Sequence, residues 1–157
     1  EKCGGTIMTS ANFSTGVNTF YKIVQAAVEL FNEYSEYDTS TWEMHHNQKA
    51  DSPSGTALDL AKKILEKSKT KDTIVTNEFK NRPLPNELHV SSTRCGSVPG
   101  THKVFFDSPA DTIEITHTAR SREGFAMGSV RALDRLLSGI KCGKLSRGKL
   151  YGMEIFE

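Results

Sequence analysis

The sequence predicts an α+β fold: a mixed, open β-sheet with helices gathered on one face. Three observations lead there. Long stretches near both ends of the chain, and a third after residue 54, carry apolar residues at helical spacing. Between residues 87 and 118, runs rich in β-branched residues alternate with turns containing Gly or Pro. The resulting order, β-α-β-α-β-β-β-α, collects most strands in the middle of the chain, and it leaves one sheet face without helices to cover it.

Each element has a local reason. Residues 7–13, IMTSANF, read as a short strand running into a loop. A helix follows, capped by Ser14 or Thr15, with Val17, Phe20, Ile23, Val24, Ala27, Val28, Leu30 and Phe31 as its apolar stripe. TSTWEMHH has strand composition and ends at two histidines. ADSPSG is a turn, because Pro fixes φ and Gly admits unusual backbone angles. TALDLAKKILEKS then forms an amphipathic helix with Leu58, Ala61, Ile64 and Leu65 on one side.

The second half continues the pattern. A weak strand is expected near Thr73–Glu78, followed by a proline-containing loop. ELHVSSTR, THKVFFDS and TIEITHTAR read as three strands of an antiparallel meander. GFAMGSVRALDRLLSGI is the last helix, striped by Phe125, Val130, Leu133, Leu136 and Leu137 and ended by Gly139 or Gly143. LYGMEIF at the end suits a short strand.

Composition narrows the function. The 157 residues suffice for one domain with a sizeable core. Twenty basic residues against nineteen acidic ones give a net charge of +1, which attracts neither nucleic acid nor an anionic membrane. No apolar run approaches the ~20 residues that span a bilayer. Cys3, Cys95 and Cys142 are scattered and odd in number, as expected of reduced thiols in a cytoplasmic protein. The chain opens with Glu1 rather than Met, which suits a processed chain or a fragment.

One stretch carries chemistry: WEMHHNQKADSPSGTA, residues 42–57. Ser54, Gly55 and Thr56 stand where a helix begins, and helix N-termini present unpaired N–H groups and positive potential. With Gly55 allowing close approach, and hydroxyls on either side, this is a cradle for a carboxylate or phosphate. Lys49 adds a point charge or a proton. His45 or His46 can carry a proton near neutral pH. On a strand the two would face opposite sides, so one can meet a ligand while the other packs. Asp51 can orient an imidazole or the lysine, or cap the turn.

Competing chemistries find less support. Metal binding is not expected: no HExxH occurs, and His89, His102 and His117 fall on separate predicted strands. Ser54 lacks the GxSxG setting of a nucleophile. No dinucleotide-binding glycine fingerprint occurs, since CGGT is too short.

HHNQKADSPSGTA resembles the signature of the dihydrodipicolinate reductases, roughly HHxxKxDxPSGTA. SANFSTGVN and EITHTARSREGFAMGSVRA are similar to two further stretches of that family, in the same order, so the resemblance covers nearly the whole chain. It is limited to the family's C-terminal part, which is glyceraldehyde-3-phosphate dehydrogenase C-terminal-like in fold; the family's Rossmann domain has no counterpart. It implies that residues 1–13 are the remnant of a link to a nucleotide-binding domain. Residues 14–140 would then be a substrate-binding and tetramerisation domain, and 141–157 a tail returning to the nucleotide domain.

The resemblance also implies roles. The family reduces a cyclic unsaturated dicarboxylate on the diaminopimelate route to lysine, with NADH or NADPH bound mainly by the domain not seen here. His45 matches the family's general acid/base and Lys49 its proton donor. His46, Ser54, Gly55 and Thr56 match substrate contacts. Ser10, Ala11, Asn12 and Phe13 match a stretch at the nicotinamide end of the cofactor, with Arg131 a weaker candidate nearby. A homotetramer formed through the open sheet face is implied as well. Two other readings compete: an oligomerisation module, which needs the sheet face but not the HH…K…SGT loop, and a general anion-binding domain without catalysis.

Overall fold

The computed structural model describes residues 4–156, so Cys3 and the first residues of the expected linker lie outside it. The chain forms two compact units. One is Thr19–Ser121; the other joins the segment up to Asn18 with the segment from Arg122 onward. Helix α1 (Thr15–Phe31) begins in the second of these and continues into the first. Ser14 caps it, its Oγ accepting from the Val17 N–H at 3.4 Å.

The larger unit is built on a five-stranded mixed sheet in the order β3-β4-β2-β5-β6. The strands are β2 (Asp38–His45), β3 (Thr73–Val75), β4 (Glu87–Arg94), β5 (Thr101–Asp107) and β6 (Thr112–Thr118). Strand β4 runs parallel to β2 and to β3, while β5 runs antiparallel to β2 and β6 antiparallel to β5. Helix α2 (Gly55–Lys67) follows β2.

The expected meander is therefore corrected in one place. The β5–β6 hairpin forms, but β2 is inserted between β4 and β5. A tight turn joins neighbouring strands about 4.8 Å apart; residues 95–100 must instead cross the end of β2 to a strand roughly 10 Å away. They are held there by the Cys95 N–H on His45 O (2.9 Å) and the Asn47 N–H on Gly96 O (3.1 Å). Local alternation cannot distinguish a hairpin from a hairpin split by an earlier strand.

One sheet face is buried. Leu88, Val90, Val104 and Phe106 are at most 1% exposed, and Val24, Val28, Leu60, Ala61 and Ile64 of the two helices are buried as well. Phe31 stacks on Phe106 at 4.4 Å between centroids, and Tyr21 Oη donates to Thr56 O, tying α1 to α2. Helices α1 and α2 thus lie together on one face, as the sequence implies. The predicted stripe of α1 is only partly correct: Tyr21 is buried, whereas Ile23 and Leu30 are exposed. At 100° per residue, positions 17, 20, 21, 24, 28 and 31 share one side, and 23, 27 and 30 fall on its flank.

In the smaller unit, β1 (Ile7–Met8) pairs in parallel with β7 (Leu150–Tyr151). Helix α3 (Glu123–Lys141) buries Gly128, Ala132 and Leu136. A Cβ at Gly128 would fall 2.0 Å from the Phe13 carbonyl oxygen, so only glycine lets the helix approach so closely. Val130, Leu133 and Leu137, expected inside, are exposed, because the helix packs on its small residues instead. Gly143, at φ +76°, ends the helix region. A short 3-10 turn, Met153–Phe156, follows β7.

Replacing Phe106 by Ala should remove the fully buried ring that anchors α1 on the sheet. A loss of about 3–5 kcal/mol in denaturant-unfolding free energy is expected; a loss below about 1 kcal/mol would contradict this packing.

Candidate functional site

The C-terminal ends of β2 and β4, the start of β5 and the N-terminus of α2 meet at one point, and a carboxylate sits at its centre. Glu43 is fully buried. It lies on the core face of β2 between Thr41 and His45, opposite Ser92 on β4 and His102 on β5. Its Oε1 accepts from the Ser54 N–H (2.9 Å), Ser92 Oγ (3.0 Å) and Arg94 Nη2 (2.9 Å). Its Oε2 accepts from Ser54 Oγ and lies 3.2 Å from His45 Nδ1 and 3.5 Å from His102 Nε2.

Burial by itself would raise the Glu43 carboxyl, but hydrogen bonds from His102, Ser54 and Arg94 outweigh it and hold the group ionised, well below the usual carboxylate range. Arg94 is the compensating charge, and its Nη2 also bonds the Asp51 carbonyl, fastening the loop to β4. With that pair already neutral overall, a proton on His45 would add an unbalanced charge. Burial, the largest effect, pushes the His45 imidazole down to about 4, against the opposing pull of Glu43; His102, Lys49 and Arg94 push the same way as burial. His45 is therefore neutral at pH 7.

The loop after β2 carries the anion-binding groups. Lys49 Nζ meets Asp51 Oδ1 at 2.7 Å, and the hydrogen bond to Lys49 holds the Asp51 carboxyl below its ordinary value. The Gly55 N–H adds the smallest influence in the same direction. An anion thus already rests between the lysine and the helix N-terminus, and it is the chain's own. Ser54 faces the other way: its side chain accepts from Ala57 N (3.2 Å) as the helix cap, while its N–H and hydroxyl both go to Glu43. His46 lies past the end of the strand, half-buried, its carbonyl accepting from the Lys49 N–H at 3.2 Å.

Seven of the residues singled out from sequence, His45, His46, Lys49, Asp51, Ser54, Gly55 and Thr56, fall on this one β-loop-α passage in the larger unit. Ser10, Ala11, Asn12, Phe13 and Arg131 belong to the other unit. There Asn12 is a buried staple: its Oδ1 accepts from the Ser14 N–H (2.8 Å) and its carbonyl from Ser10 Oγ (2.9 Å) and Asn18 Nδ2 (2.9 Å). Ala11 is exposed, and exposed Arg131 reaches Thr15 Oγ1 at 3.5 Å.

Sequence reasoning passed over Glu43, Ser92, Arg94 and His102. Local alternation pointed the other way: Thr41, Glu43 and His45 form the polar side of β2, and apolar Trp42 and Met44 read as its core side. The separation of His102 from the histidine pair also proves only sequential, since β2 and β5 are neighbours. Glu43, His45 and His102 bring three ligand-type atoms within 4.8 Å of one another. A guanidinium on the same carboxylate at 2.9 Å is, however, a poor companion for a cation.

Comparison with known proteins identifies the family. The family described as "Dihydrodipicolinate reductase, C-terminus" matches residues 16–156. The chain belongs to that family. It is 42% identical over 136 residues to the 4-hydroxy-tetrahydrodipicolinate reductase of Christiangramia forsetii, covering 87% of this chain and 55% of that protein. The reductase of Oleidesulfovibrio alaskensis is 40% identical over 152 residues, 94% of this chain and 55% of its own length. The chain thus spans about half the length of the curated relatives it matches. A dipicolinate-bound dihydrodipicolinate reductase from Paenisporosarcina sp. TG-14 shares the fold, with a TM-score of 0.67 at 22% identity over 98% of this chain and 56% of that one. Among the described residues no helix is long and apolar enough to cross a membrane, and Cys95 and Cys142 are free and exposed.

The depressed His45 makes stability depend on pH. Between its unfolded value near 6.5 and its folded value of about 4, the unfolded chain binds the extra proton, so acidification favours unfolding. About 1.4 kcal/mol per pH unit, in all roughly 3 kcal/mol, should be lost from pH 6.5 to pH 4. His117, lowered by burial, adds a contribution of the same sign. Glu43 begins to add its own only below the ordinary carboxylate value, about pH 4.3. Unfolding measured across this range should show a shallower slope in His45→Asn than in the parent.

Proposed function

We propose that this chain is the substrate-binding half of an NAD(P)H-dependent reductase that converts 4-hydroxy-tetrahydrodipicolinate to tetrahydrodipicolinate in lysine and diaminopimelate biosynthesis. The observation that carries this reading is the Lys49–Asp51–Gly55 arrangement beside a neutral, buried His45. Relatives named for this reaction, at about 40% identity over most of the chain, support it.

Binding is an exchange of carboxylates. One carboxylate of the substrate replaces Asp51 on the Lys49 ammonium and on the Gly55 N–H, where the positive end of α2 favours it. Glu43 holds Ser54 inward, so contact falls to the backbone of Gly55 and Thr56 and to half-buried His46. Once the 4-hydroxyl has left as water, bound NADH or NADPH would supply a hydride to the unsaturated ring. On this chain, exposed Ala11 and Arg131 fit a cofactor edge, whereas Asn12 serves the fold. The proton that completes the reduction comes from Lys49, and His45 accepts or returns a proton beside it.

The second sheet face suits assembly. Trp42, Met44 and Phe105 are half-buried on the side without helices. A homotetramer joined through that face, in a cytoplasmic enzyme, is part of the proposal.

Calorimetric titration with pyridine-2,6-dicarboxylate, a planar mimic of the ring, tests the reading. Lys49→Ala should weaken binding by at least about tenfold, as loss of a charge-assisted contact does, with oligomer size unchanged. Equal binding by parent and variant would remove Lys49 from the site. Inorganic phosphate competing as well as the dicarboxylate would favour a general anion site.

A further inference from the structure

Oε2 of Glu43 stands between two imidazoles through different ring atoms: His45 approaches with Nδ1 at 3.2 Å and His102 with Nε2 at 3.5 Å. The rings are nearly perpendicular, at 76°, with centroids 5.2 Å apart. His45 Nδ1 is buried without a well-aligned partner, and an N–H left unpaired in the interior is expensive. Glu43, already ionised and the nearest acceptor, removes that expense if Nδ1 carries the proton. On the far side of the ring, Nε2 looks toward Gly100, where a Cβ would come within 2.9 Å of it. Glycine keeps the space beside Nε2 open.

We propose that Glu43 is a positioning residue: one buried carboxylate fixes His45 as the Nδ1–H tautomer and His102 as the Nε2–H tautomer, and ties the Ser54 cap of α2 to the same point. His45 then presents an unprotonated Nε2 toward the glycine-lined space. Its use as a proton acceptor there rests on the reductase reading; the tautomers themselves do not. The same carboxylate sets the imidazole and the start of the anion-binding helix, so the two halves of the site keep a common reference.

A ligand set for a metal ion would need the opposite arrangement. Lone pairs on His45 Nδ1 and His102 Nε2 would both turn inward toward Glu43. The two arrangements differ in a quantity that can be read directly.

Nitrogen-15 NMR of the histidine side chains at pH 7 tests the proposal on the parent chain, without any variant. A protonated Nδ1 with a bare Nε2 on His45, and the reverse on His102, is the expected result. A bare Nδ1 on His45 or a bare Nε2 on His102 would overturn it. Added Zn²⁺ should leave both inner nitrogens unshifted; shifts of both would overturn it in favour of a metal site. Glu43→Gln should relax both rings toward a tautomer mixture, and unchanged tautomers in a folded variant would count against Glu43 as their cause. The dicarboxylate titration is independent: loss of ligand binding with these tautomers in place would sink the reductase reading alone.

Discussion

Everything around the site refers back to one buried charge. Ser54, Ser92, Arg94, His45 and His102 come from three strands and the start of a helix, and Glu43 is the group they share. A lone carboxylate in this position would be intolerable; with a guanidinium and several hydrogen bonds it is stable and directional. Removing one member of such a set typically costs 3–5 kcal/mol, because what remains is a buried charge without its counterpart. The cluster acts as a single electrostatic unit, and burial within it keeps His45 neutral against the pull of Glu43.

The sheet topology makes this convergence possible. A parallel neighbour brings the end of β4 level with the end of β2, and an antiparallel neighbour brings the start of β5 to the same edge. Arg94, His45 and His102 therefore meet although up to 57 positions separate them in sequence, from His45 to His102.

Elements governed by local periodicity were legible in the sequence: α1, α2, β2 and the β5–β6 hairpin. So was the placing of Lys49, Asp51 and the Ser54–Thr56 turn on one β-loop-α passage, because they are close in sequence. What escaped depended on pairing. The partner of β4 could not be read from its own alternation, and without it nothing connected Arg94 with Glu43. Glu43 was overlooked because it shares the polar side of β2 with Thr41 and His45, while apolar Trp42 and Met44 on the other side read as the core. In α3 the apolar stripe misled, since the close approach at Gly128 decides which side turns inward.

The carboxylate of Asp51 gives Lys49 a resident counter-ion. A visiting anion gains only the difference between its own contacts and those it displaces. A single-charged buffer ion, offering the lysine no more than Asp51 does, gains almost nothing. A molecule with two carboxylates set at a fixed spacing gains a second point of attachment that Asp51 cannot match. Under the proposed exchange of carboxylates, the loop would discriminate by valency, and it would do so without any lid.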